Sequence, residues 1–419
     1  MTLERPLHHG DVTPSSDAAP KVAEAMDQRA EVLLFVVDAG GGHRAAARAL
    51  LAAAEESSFP LAFRVASLQE VLGPQDFLKR LFGVKLEDFY NLLLRRRYTA
   101  ALHPLMRVLH RLIALRHPAL VRALVPYLQS RRPLAVVSVI PNFNAVIRDA
   151  LRQTHPGVPF LVLLTDFADL PPHFWIESGI DRLVVGTEEA ARQARETGIP
   201  PERIALVSGM VLHPRFYAQG GAHARLQVRK ELGVPEDAFA AMLLFGGKGS
   251  AEIEPLAREL LAADPALHVI AVCGDNPKLQ ARLEPLRQAS SGRLHPLGFT
   301  ERIADTMAAS DVLVTKPGPG SLAEAFHQRL PVVVAFNRDT IPMERFNARY
   351  VAVKELGVVV RRWSEAPSAV LALARDGERR ARLLRNLGAL PPNRAVYEAL
   401  AHIAKAALPL PTAGAARAR

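Results

Sequence analysis

Short apolar runs alternate with amphipathic stretches along most of the chain. Runs that are apolar on both faces are typical of a parallel sheet covered by helices. Two consecutive series of this kind predict an α/β protein with two Rossmann-like domains that face a cleft. The first series comprises residues 31–37, 61–67, 134–140, 160–165 and 182–186, and the second comprises 240–245, 267–273, 311–315, 331–336 and 357–360.

A polar stretch near residues 218–224 (AQGGAHA) separates the two series. We therefore expect an interdomain linker there, with a first domain at 31–217 and a second domain at 225–390. Residues 1–30 have no continuous apolar core and are expected to form a flexible segment rather than a signal peptide. Residues 391–419 are expected to form a C-terminal helix and a disordered tail.

Residues 74–132 do not follow the alternation, because they contain helix-like sequence without a clear strand. Arginines recur among leucines at helical spacing, which indicates a basic amphipathic surface lying on an anionic bilayer. The alternative is a helical insertion that packs on its own domain and exposes a solvated basic face. His103, His110 and His117, at intervals of seven residues, are interpreted as surface histidines. The arginines we expect at the membrane are Arg95, Arg96 and Arg97.

The overall charge indicates the class of partner. An excess of 52 Lys and Arg over 42 Asp and Glu gives a net charge of +10, which favours anionic partners. Nucleic acid is not expected, since the sequence has neither a recognised motif nor an aromatic and basic stacking platform. No apolar run approaches the roughly 20 residues that a spanning helix needs. We therefore expect a cytoplasmic protein bound peripherally to the inner face of the cell membrane.

Cysteine and histidine usage restricts the chemistry. The single cysteine, Cys273, excludes an intramolecular disulfide and fits a reducing compartment. The histidines show no metal-binding spacing, so no metal is predicted.

A glycine-rich turn follows the first predicted strand, in VVDAGGGHRAAARAL (36–50). It places His43 at the start of a helix, at the strand edge where open α/β sheets bind ligands. A histidine there can accept a hydroxyl proton. Asp38, or Asp166 at the end of a later strand, is expected to orient the imidazole or to share the role of base. The glycines of this acceptor-side loop are Gly40, Gly41 and Gly42.

Two further glycine-rich turns lie in the second domain, in LLFGGKGS (243–250) and VTKPGPGSLAEAF (314–326). Each joins a strand to a helix beside a lysine, and backbone amides with a helix dipole suit a diphosphate. The residues predicted to bind it are Gly246, Gly247, Lys248, Gly249 and Ser250 in the first turn, and Lys316, Gly318, Gly320 and Ser321 in the second.

Six segments together carry a family pattern: DAGGGHRAAA (38–47), LLTDFAD (163–169), SGMVLHPRFY (208–217), LLFGGKGSAEIEPLA (243–257), TKPGPGSLAEAFHQRLPVVV (315–334) and IPMERFN (341–347). The chain thereby resembles the monogalactosyldiacylglycerol synthases and the bacterial processive diacylglycerol glucosyltransferases. More distantly, it resembles the peptidoglycan enzyme that adds N-acetylglucosamine to a lipid-linked precursor.

This resemblance implies a GT-B fold, a UDP-sugar donor, a lipid acceptor such as diacylglycerol, and inversion at the anomeric carbon without a metal ion or cofactor. By position, His43 matches the acceptor-side base of the family and Glu324 matches the acid that holds the donor ribose. Glu344 and Asn347 match polar residues near the donor sugar.

The chain departs from the plant synthases after its third predicted strand, where Ile140-Pro141-Asn142 stands in place of a His-Pro motif. Three alternatives therefore stay open. The first is a UDP-sugar 2-epimerase with the same fold. The second is a glycosyltransferase with a sterol, carotenoid or lipid-linked peptide acceptor, and the third is a non-catalytic protein of the membrane surface. Glucose and galactose are equally compatible with the sequence.

Overall fold

A computed structural model describes residues 31–37, 42–72, 99–170, 173–217 and 221–408 of the chain. They form two parallel six-stranded sheets, each covered by helices.

The first sheet has the strand order β2-β1-β3-β4-β5-β6, with every pair parallel. Its central strands are apolar at consecutive positions and are buried on both faces, as helices on each side of a sheet require. The strands are β1 Glu31–Val36, β2 Ala62–Ser67, β3 Ala135–Ser138, β4 Phe160–Leu163, β5 Arg182–Val185 and β6 Ile204–Leu206. The helices are α1 Gly42–Glu56, α2 Leu68–Leu72, α3 Thr99–Gln129, α4 Asn144–Thr154 and α5 Glu188–Glu196.

The second sheet has the order β12-β11-β10-β7-β8-β9 and is also parallel throughout. Its strands are β7 Ala240–Leu244, β8 His268–Gly274, β9 Leu294–Gly298, β10 Val312–Thr315, β11 Val332–Ala335 and β12 Gly357–Val360. The helices of this half are α6 Gly221–Leu232, α7 Ile253–Ala263, α8 Pro277–Ala289, α9 Ile303–Ala308, α10 Pro319–His327, α11 Arg345–Val353, α12 Ala366–Arg375 and α13 Gly377–Gly388. Since α6 begins at Gly221, part of the stretch expected as a linker is helical.

Each sheet has a topological switch point. It lies between two adjacent strands from which the connections to the next strands run in opposite directions. In the first sheet this point lies between β1 and β3, and in the second it lies between β7 and β10. Ligands of open α/β sheets bind at such a point, outside the carboxyl ends of the strands. The loops that follow these four strands include all three glycine-rich turns of the sequence.

Two strands were not predicted from the sequence, and both lie at sheet edges. Strand β6 has only three residues, and its Leu206 is 44% exposed. Strand β9 contains Pro296, which cannot donate a ladder hydrogen bond and is tolerated at an edge. Edge strands need no long apolar run, so the hydrophobic pattern did not reveal them.

The long helix α3 lies in the segment predicted to be a helical insertion. One side of it is buried against the first domain, through Ile113, Leu120, Val121, Leu124 and Leu128. His110 and His117, interpreted as surface histidines, are half-buried and have polar partners. The His117 ring contacts Asp149 of α4 at 2.8 Å, and His110 Nδ1 lies 3.4 Å from Asn142 Oδ1. In the described part of the chain, no helix combines the length and apolarity needed to cross a bilayer.

A last helix, α14 Ala395–Ala407, follows the second domain but packs on the first sheet. Val396, Leu400 and Ile403 are buried in one cluster with Val32 and Leu34 of β1. The Glu398 carboxylate also accepts a hydrogen bond from the Ser208 amide at 2.6 Å. The chain therefore crosses between the two halves twice.

Candidate active site

His43 lies in the first turn of α1, beside the carboxyl ends of the first sheet. Its Nδ1 is 3.4 Å from the Thr165 hydroxyl, which follows β4, and its ring lies 5.6 Å from the ring of Trp175. Gly42 is the first residue of α1, whereas Asp38, Gly40 and Gly41 lie outside the described residues. The structure therefore brings His43 to the predicted edge of the sheet.

The protein environment keeps the His43 imidazole neutral at physiological pH. Withdrawal from water lowers the pKa of His43 to about 4, although a hydrogen bond to the Val139 carbonyl opposes this shift. A neutral imidazole has one nitrogen with a free lone pair, which is the form that can accept a proton.

Asp166 lies near this histidine, held by the indole of Trp175. Trp175 Nε1 donates a hydrogen bond to Asp166 Oδ2 at 2.9 Å. Burial raises the pKa of Asp166 to about 6, the indole N–H opposes that shift, and the charge of Asp169 adds to it. Asp169 itself accepts backbone N–H bonds from His173 and Trp175, so it fixes the loop that carries the indole.

The first loop of the second domain, residues 246–250, wraps against the end of β8. The Gly247 carbonyl accepts a hydrogen bond from the Asp275 amide at 2.8 Å, and the Lys248 carbonyl accepts one from Asn276 Nδ2 at 3.2 Å. Gly249 has a φ of +63°, and a Cβ there would lie 2.6 Å from the Cys273 carbonyl oxygen. Gly246, Gly247 and Lys248 remain exposed, while the Ser250 hydroxyl bonds to Glu252.

The second loop, residues 316–321, begins at the exposed Lys316 and continues into α10. Gly318 occupies the N-cap position, Pro319 is the first helical residue, and Gly320 and Ser321 lie in the first turn. The helix dipole therefore points its positive end at this loop. A Cβ on Gly318 would lie 3.4 Å from Glu344 Oε1, so the loop and this carboxylate are neighbours.

Glu344 connects the two halves of the site electrostatically. Burial raises the pKa of the Glu344 carboxyl to about 7, Lys316 lowers it, and the charge of Asp166 raises it further. Lys316 belongs to the second domain and Asp166 to the first, so the carboxylate lies within range of both. Asn347, one turn later, is fully buried, and its Nδ2 donates to the Pro317 carbonyl at 2.8 Å.

Glu324 on α10 lies beside an arginine that sequence reasoning did not single out. Burial raises the pKa of the Glu324 carboxyl to about 7, and the charge of Arg215 opposes the shift. Arg215 in turn donates to the Glu301 carbonyl at 2.7 Å and to His213 Nδ1 at 3.1 Å. Phe299, close to that carbonyl in sequence, is 69% exposed. Only the folded chain brings Arg215 to α10.

Phe167 joins the two domains at the site. Its ring lies 5.4 Å from Tyr350 of α11 in an edge-on arrangement and 6.4 Å from Phe326 of α10. Because Phe167 follows Asp166 directly, this aromatic contact sets where Asp166 sits relative to the second domain. The sequence segment LLTDFAD contained this residue, but nothing in its local pattern indicated an interdomain role.

The predicted residues thus fall into two facing groups. His43 and Asp166 lie on the first sheet, and the two glycine-rich loops lie with Glu324, Glu344 and Asn347 on the second. Arg95, Arg96 and Arg97 fall outside the described residues. Asn142, in the segment that departs from the plant pattern, adopts a φ of +68°. Its backbone N–H donates a hydrogen bond to the Phe174 carbonyl at 2.6 Å.

The sequence is related to known families over both halves. Residues 43–211 match the family model of monogalactosyldiacylglycerol (MGDG) synthase, beginning at the histidine of the site. Residues 242–381 match the glycosyltransferase family 28 C-terminal domain, which includes both loops of the second sheet.

Curated relatives come from plants and bacteria. The chain is 28% identical over 264 residues to monogalactosyldiacylglycerol synthase 1, chloroplastic, of Arabidopsis thaliana, covering 61% of this chain and 47% of that protein. It is 30% identical to a probable monogalactosyldiacylglycerol synthase 2 of Oryza sativa subsp. japonica, over 57% of this chain and 51% of that protein. It is 24% identical to the processive diacylglycerol beta-glucosyltransferase of Bacillus pumilus, over 74% of each chain. The chain spans about half the length of the plant relatives that it matches.

Solved structures share the fold. UDP-GlcNAc 2-epimerase from Neisseria meningitidis superposes with a TM-score of 0.58 at 15% identity, over 90% of this chain and all of that one. MurG from Acinetobacter baumannii superposes with a TM-score of 0.54 at 12% identity, over 90% of this chain and 99% of that one. The predicted GT-B architecture is therefore confirmed. The first half of the chain is thus similar to the monogalactosyldiacylglycerol synthases, and the second half is similar to the glycosyltransferase family 28 C-terminal domains.

Proposed function

We propose that this protein transfers a hexose from a UDP-sugar to the free hydroxyl of diacylglycerol at a membrane surface. The observation that carries the proposal is the pair of facing groups at the two switch points. His43 and Asp166 lie on one side and Glu344 with Lys316 on the other, and Phe167, next to Asp166, packs 5.4 Å from Tyr350 of the second domain. The relatives named for diacylglycerol or galactosyl transfer supply the acceptor class.

The proposed reaction needs one base and one stabilised leaving group. The acceptor oxygen attacks the anomeric carbon from the face opposite UDP, its proton passes to the base, and the bond from that carbon to the diphosphate oxygen breaks. UDP leaves with the bonding electrons, so the sugar is inverted. We expect neutral His43 or ionised Asp166 to take the proton.

The leaving diphosphate would lie between the two glycine-rich loops of the second domain. The exposed Gly246–Lys248 segment and the start of α10 flank the β7–β10 switch point, and Lys248 and Lys316 are both exposed there. Amides, a helix N-terminus and two lysine charges offset developing negative charge without a metal ion. Glu324 beside Arg215 would hold the ribose, and the exposed ring of Phe299 offers an apolar face to the base.

The membrane part of the proposal rests on the outward side of α3. The helix Thr99–Gln129 contains no acidic residue. Opposite its buried side, Leu115 is 75% exposed and Val108 is 49% exposed, and Arg111 and Arg122 are exposed on the same side. Apolar side chains flanked by arginines favour an anionic lipid surface, where each basic residue contributes about 1 kcal/mol. We therefore propose peripheral attachment through this helix.

The test is turnover of UDP-glucose and UDP-galactose, each supplied separately with diacylglycerol in anionic vesicles and a chelator. We expect a glycolipid product with one of the two sugars. UDP binding without product would keep the donor site and move the search to other lipid acceptors. Conversion of UDP-N-acetylglucosamine into a 2-epimer would replace the proposal by an epimerase.

The membrane surface has its own test. Replacing Arg111 and Arg122 together by glutamine should weaken binding to anionic vesicles, and the effect should shrink at high salt because screening already weakens the attraction. Arg258 and Arg282 are exposed on the second domain, so their double replacement is the matched control with the same change in net charge. Equal losses for the two pairs would mean that only the net charge matters.

A further inference from the structure

Asn347 occupies an unusual position for a residue expected to touch the donor sugar. Its side chain is 0% exposed, so the described arrangement leaves it no surface in the cleft. Its Nδ2 donates to the Pro317 carbonyl at 2.8 Å. Within the described part of the chain, its Oδ1 meets no hydrogen-bond donor.

The unpartnered oxygen makes Asn347 a poor choice for stability alone. A buried acceptor without a partner costs free energy that an apolar side chain of similar shape would not. The one favourable contact of the amide is the bond to Pro317. The reason for an asparagine at this position must therefore lie in the loop that this hydrogen bond attaches.

The bond holds a loop that has few other means of attachment. Pro317 and Pro319 have no backbone N–H, so two of the four residues from Lys316 to Pro319 cannot donate a hydrogen bond. A carbonyl is the group that remains for anchoring at Pro317. The amide of Asn347 thus ties the start of the Gly318 loop to α11.

Glu344 lies three residues before Asn347, at the end of the 3-10 turn Pro342–Glu344 that leads directly into α11. Residues three apart lie on one face of a helix, so the carboxylate and the amide approach the loop side by side. Glu344 Oε1 lies 3.4 Å from the position of a Cβ on Gly318. The tie at Asn347 consequently fixes the separation between the loop and the carboxylate.

We propose that Asn347 is a positioning residue that holds Glu344 and the Lys316–Gly318 loop in register, and that it does not itself contact the sugar. This inference rests on the proposed function, in which the loop binds the diphosphate, and on the family match that puts Glu344 near the donor sugar. It predicts that loss of the amide lowers sugar transfer more than UDP binding, since both use the loop but only the sugar uses the carboxylate.

The experiment compares Asn347→Leu and Asn347→Asp with the wild-type enzyme. UDP affinity is measured by calorimetry, and kcat is measured with the hexose donor that the wild type uses. For Asn347→Leu we expect a kcat lower on the order of tenfold to a hundredfold, as a small misplacement of a substrate-binding group can cause, and a clearly smaller loss of UDP affinity. A buried aspartic acid takes up a proton and can then donate to the Pro317 carbonyl, so the ratio of Asn347→Asp kcat to wild-type kcat should rise as the pH falls.

Asn386→Leu is the control, because Asn386 Nδ2 also donates to a backbone carbonyl of this domain, that of Glu355 at 3.1 Å, but on the exposed helix α13. It should leave both quantities unchanged. Wild-type kcat in Asn347→Leu would overturn the inference. A parallel fall of kcat, UDP affinity and melting temperature would also overturn it, as it would indicate a merely structural role. Absence of UDP binding by the wild type would instead refute the proposed function.

Discussion

Trp175 Nε1 and Asp166 Oδ2 are joined by a hydrogen bond of 2.9 Å, and the same indole lies against the ring of His43. One side chain therefore sets both the ionisation of the carboxylate and the packing of the histidine. Replacing the indole by a phenyl ring separates these two effects, since a phenyl ring keeps the packing but has no N–H.

We expect Trp175→Phe to shift the pH dependence of kcat. The indole N–H opposes the rise in the pKa of Asp166, so its loss raises that pKa further above about 6. If Asp166 must be ionised, the acidic limb of the kcat profile then moves to higher pH. The shift should be about one pH unit for the loss of one charge-assisted hydrogen bond. Trp363→Phe is the control, because Trp363 packs on Phe245 in the second domain at 4.9 Å. An unmoved acidic limb would show that the ionisation of Asp166 does not limit turnover.

His43→Ala should lower kcat by about 10²- to 10⁴-fold, the usual contribution of a general base, while UDP binding survives. His43 lies on the first sheet and the proposed UDP site on the second, so the substitution leaves the nucleotide loops in place. The pH profile adds a second criterion. With His43 as the base, wild-type activity should fall only as the pH approaches about 4, whereas an acidic limb near 6 identifies Asp166.

Glu324→Gln should weaken UDP binding and remove part of its pH dependence. An ionised carboxylate accepts hydroxyl hydrogen bonds better than a protonated one, and the pKa of Glu324 in the free protein is about 7. Wild-type affinity for UDP should therefore fall as the pH drops below 7. Calorimetry at pH 6 and pH 8 would measure this difference. If the UDP affinity of Glu324→Gln changed with pH as much as that of the wild type, Glu324 would not contact the ribose.

The stability of the second domain should decrease in mild acid because of a buried histidine pair. His268 Nδ1 and His295 Nε2 lie 3.1 Å apart between β8 and β9, and the two rings are stacked. Burial lowers the pKa of His295 to about 4 from 6.5, with smaller contributions from His268 and Arg287. The folded state thus disfavours protonation, so this stability is complete above pH 6.5 and is lost as the pH falls towards 4. The loss reaches on the order of 3 kcal/mol.

Urea unfolding of His295→Gln measures this effect, because glutamine does not titrate. We expect a weaker dependence of the unfolding midpoint on pH between 6.5 and 4 than in the wild type. His223→Gln removes an exposed histidine of the same half and should leave the dependence intact. Identical curves for all three proteins would mean that the pair does not contribute.

We expect Gly249→Ala to lower the stability of the fold and Gly247→Ala to weaken UDP binding. An alanine at 249 would adopt a φ of +63° and clash with the Cys273 carbonyl oxygen at 2.6 Å, so we expect a loss of about 2 kcal/mol in the free energy of unfolding. A Cβ at 247 meets nothing within 4 Å, so the fold should tolerate it. Because Gly247 lies on the exposed part of the proposed diphosphate loop, Gly247→Ala should weaken UDP binding instead. Thermal unfolding together with calorimetry distinguishes the two outcomes.

The hydrophobic pattern predicted ten strands, which are the eight interior strands and two of the four edge strands of the two sheets. Such strands are buried on both faces, so their sequences reveal them directly. It missed β6 and β9, since a short edge strand or one with Pro296 has no long apolar run. The seven-residue spacing of His110 and His117 could not reveal that Asn142 and Asp149 lie opposite them.

For the site, the glycine-rich turns marked the positions where the chain reaches the cleft, because their residue types are required locally. Trp175, Arg215 and Phe167 were not singled out. Their roles depend on contacts between residues distant in the chain or in different domains, and no local signal encodes such contacts. Asn347 was recognised through a family pattern, but only its burial and its bond to Pro317 indicate how it acts.

The position of α14 has a consequence for synthesis of the protein. Val32 and Leu34 are made early, yet their partners Val396, Leu400 and Ile403 leave the ribosome only after the entire second sheet has been translated. Domains usually fold in the order in which they emerge. Here the first-made half keeps part of an apolar sheet face uncovered while the second half is completed, so we expect the nascent chain to expose that surface throughout this interval.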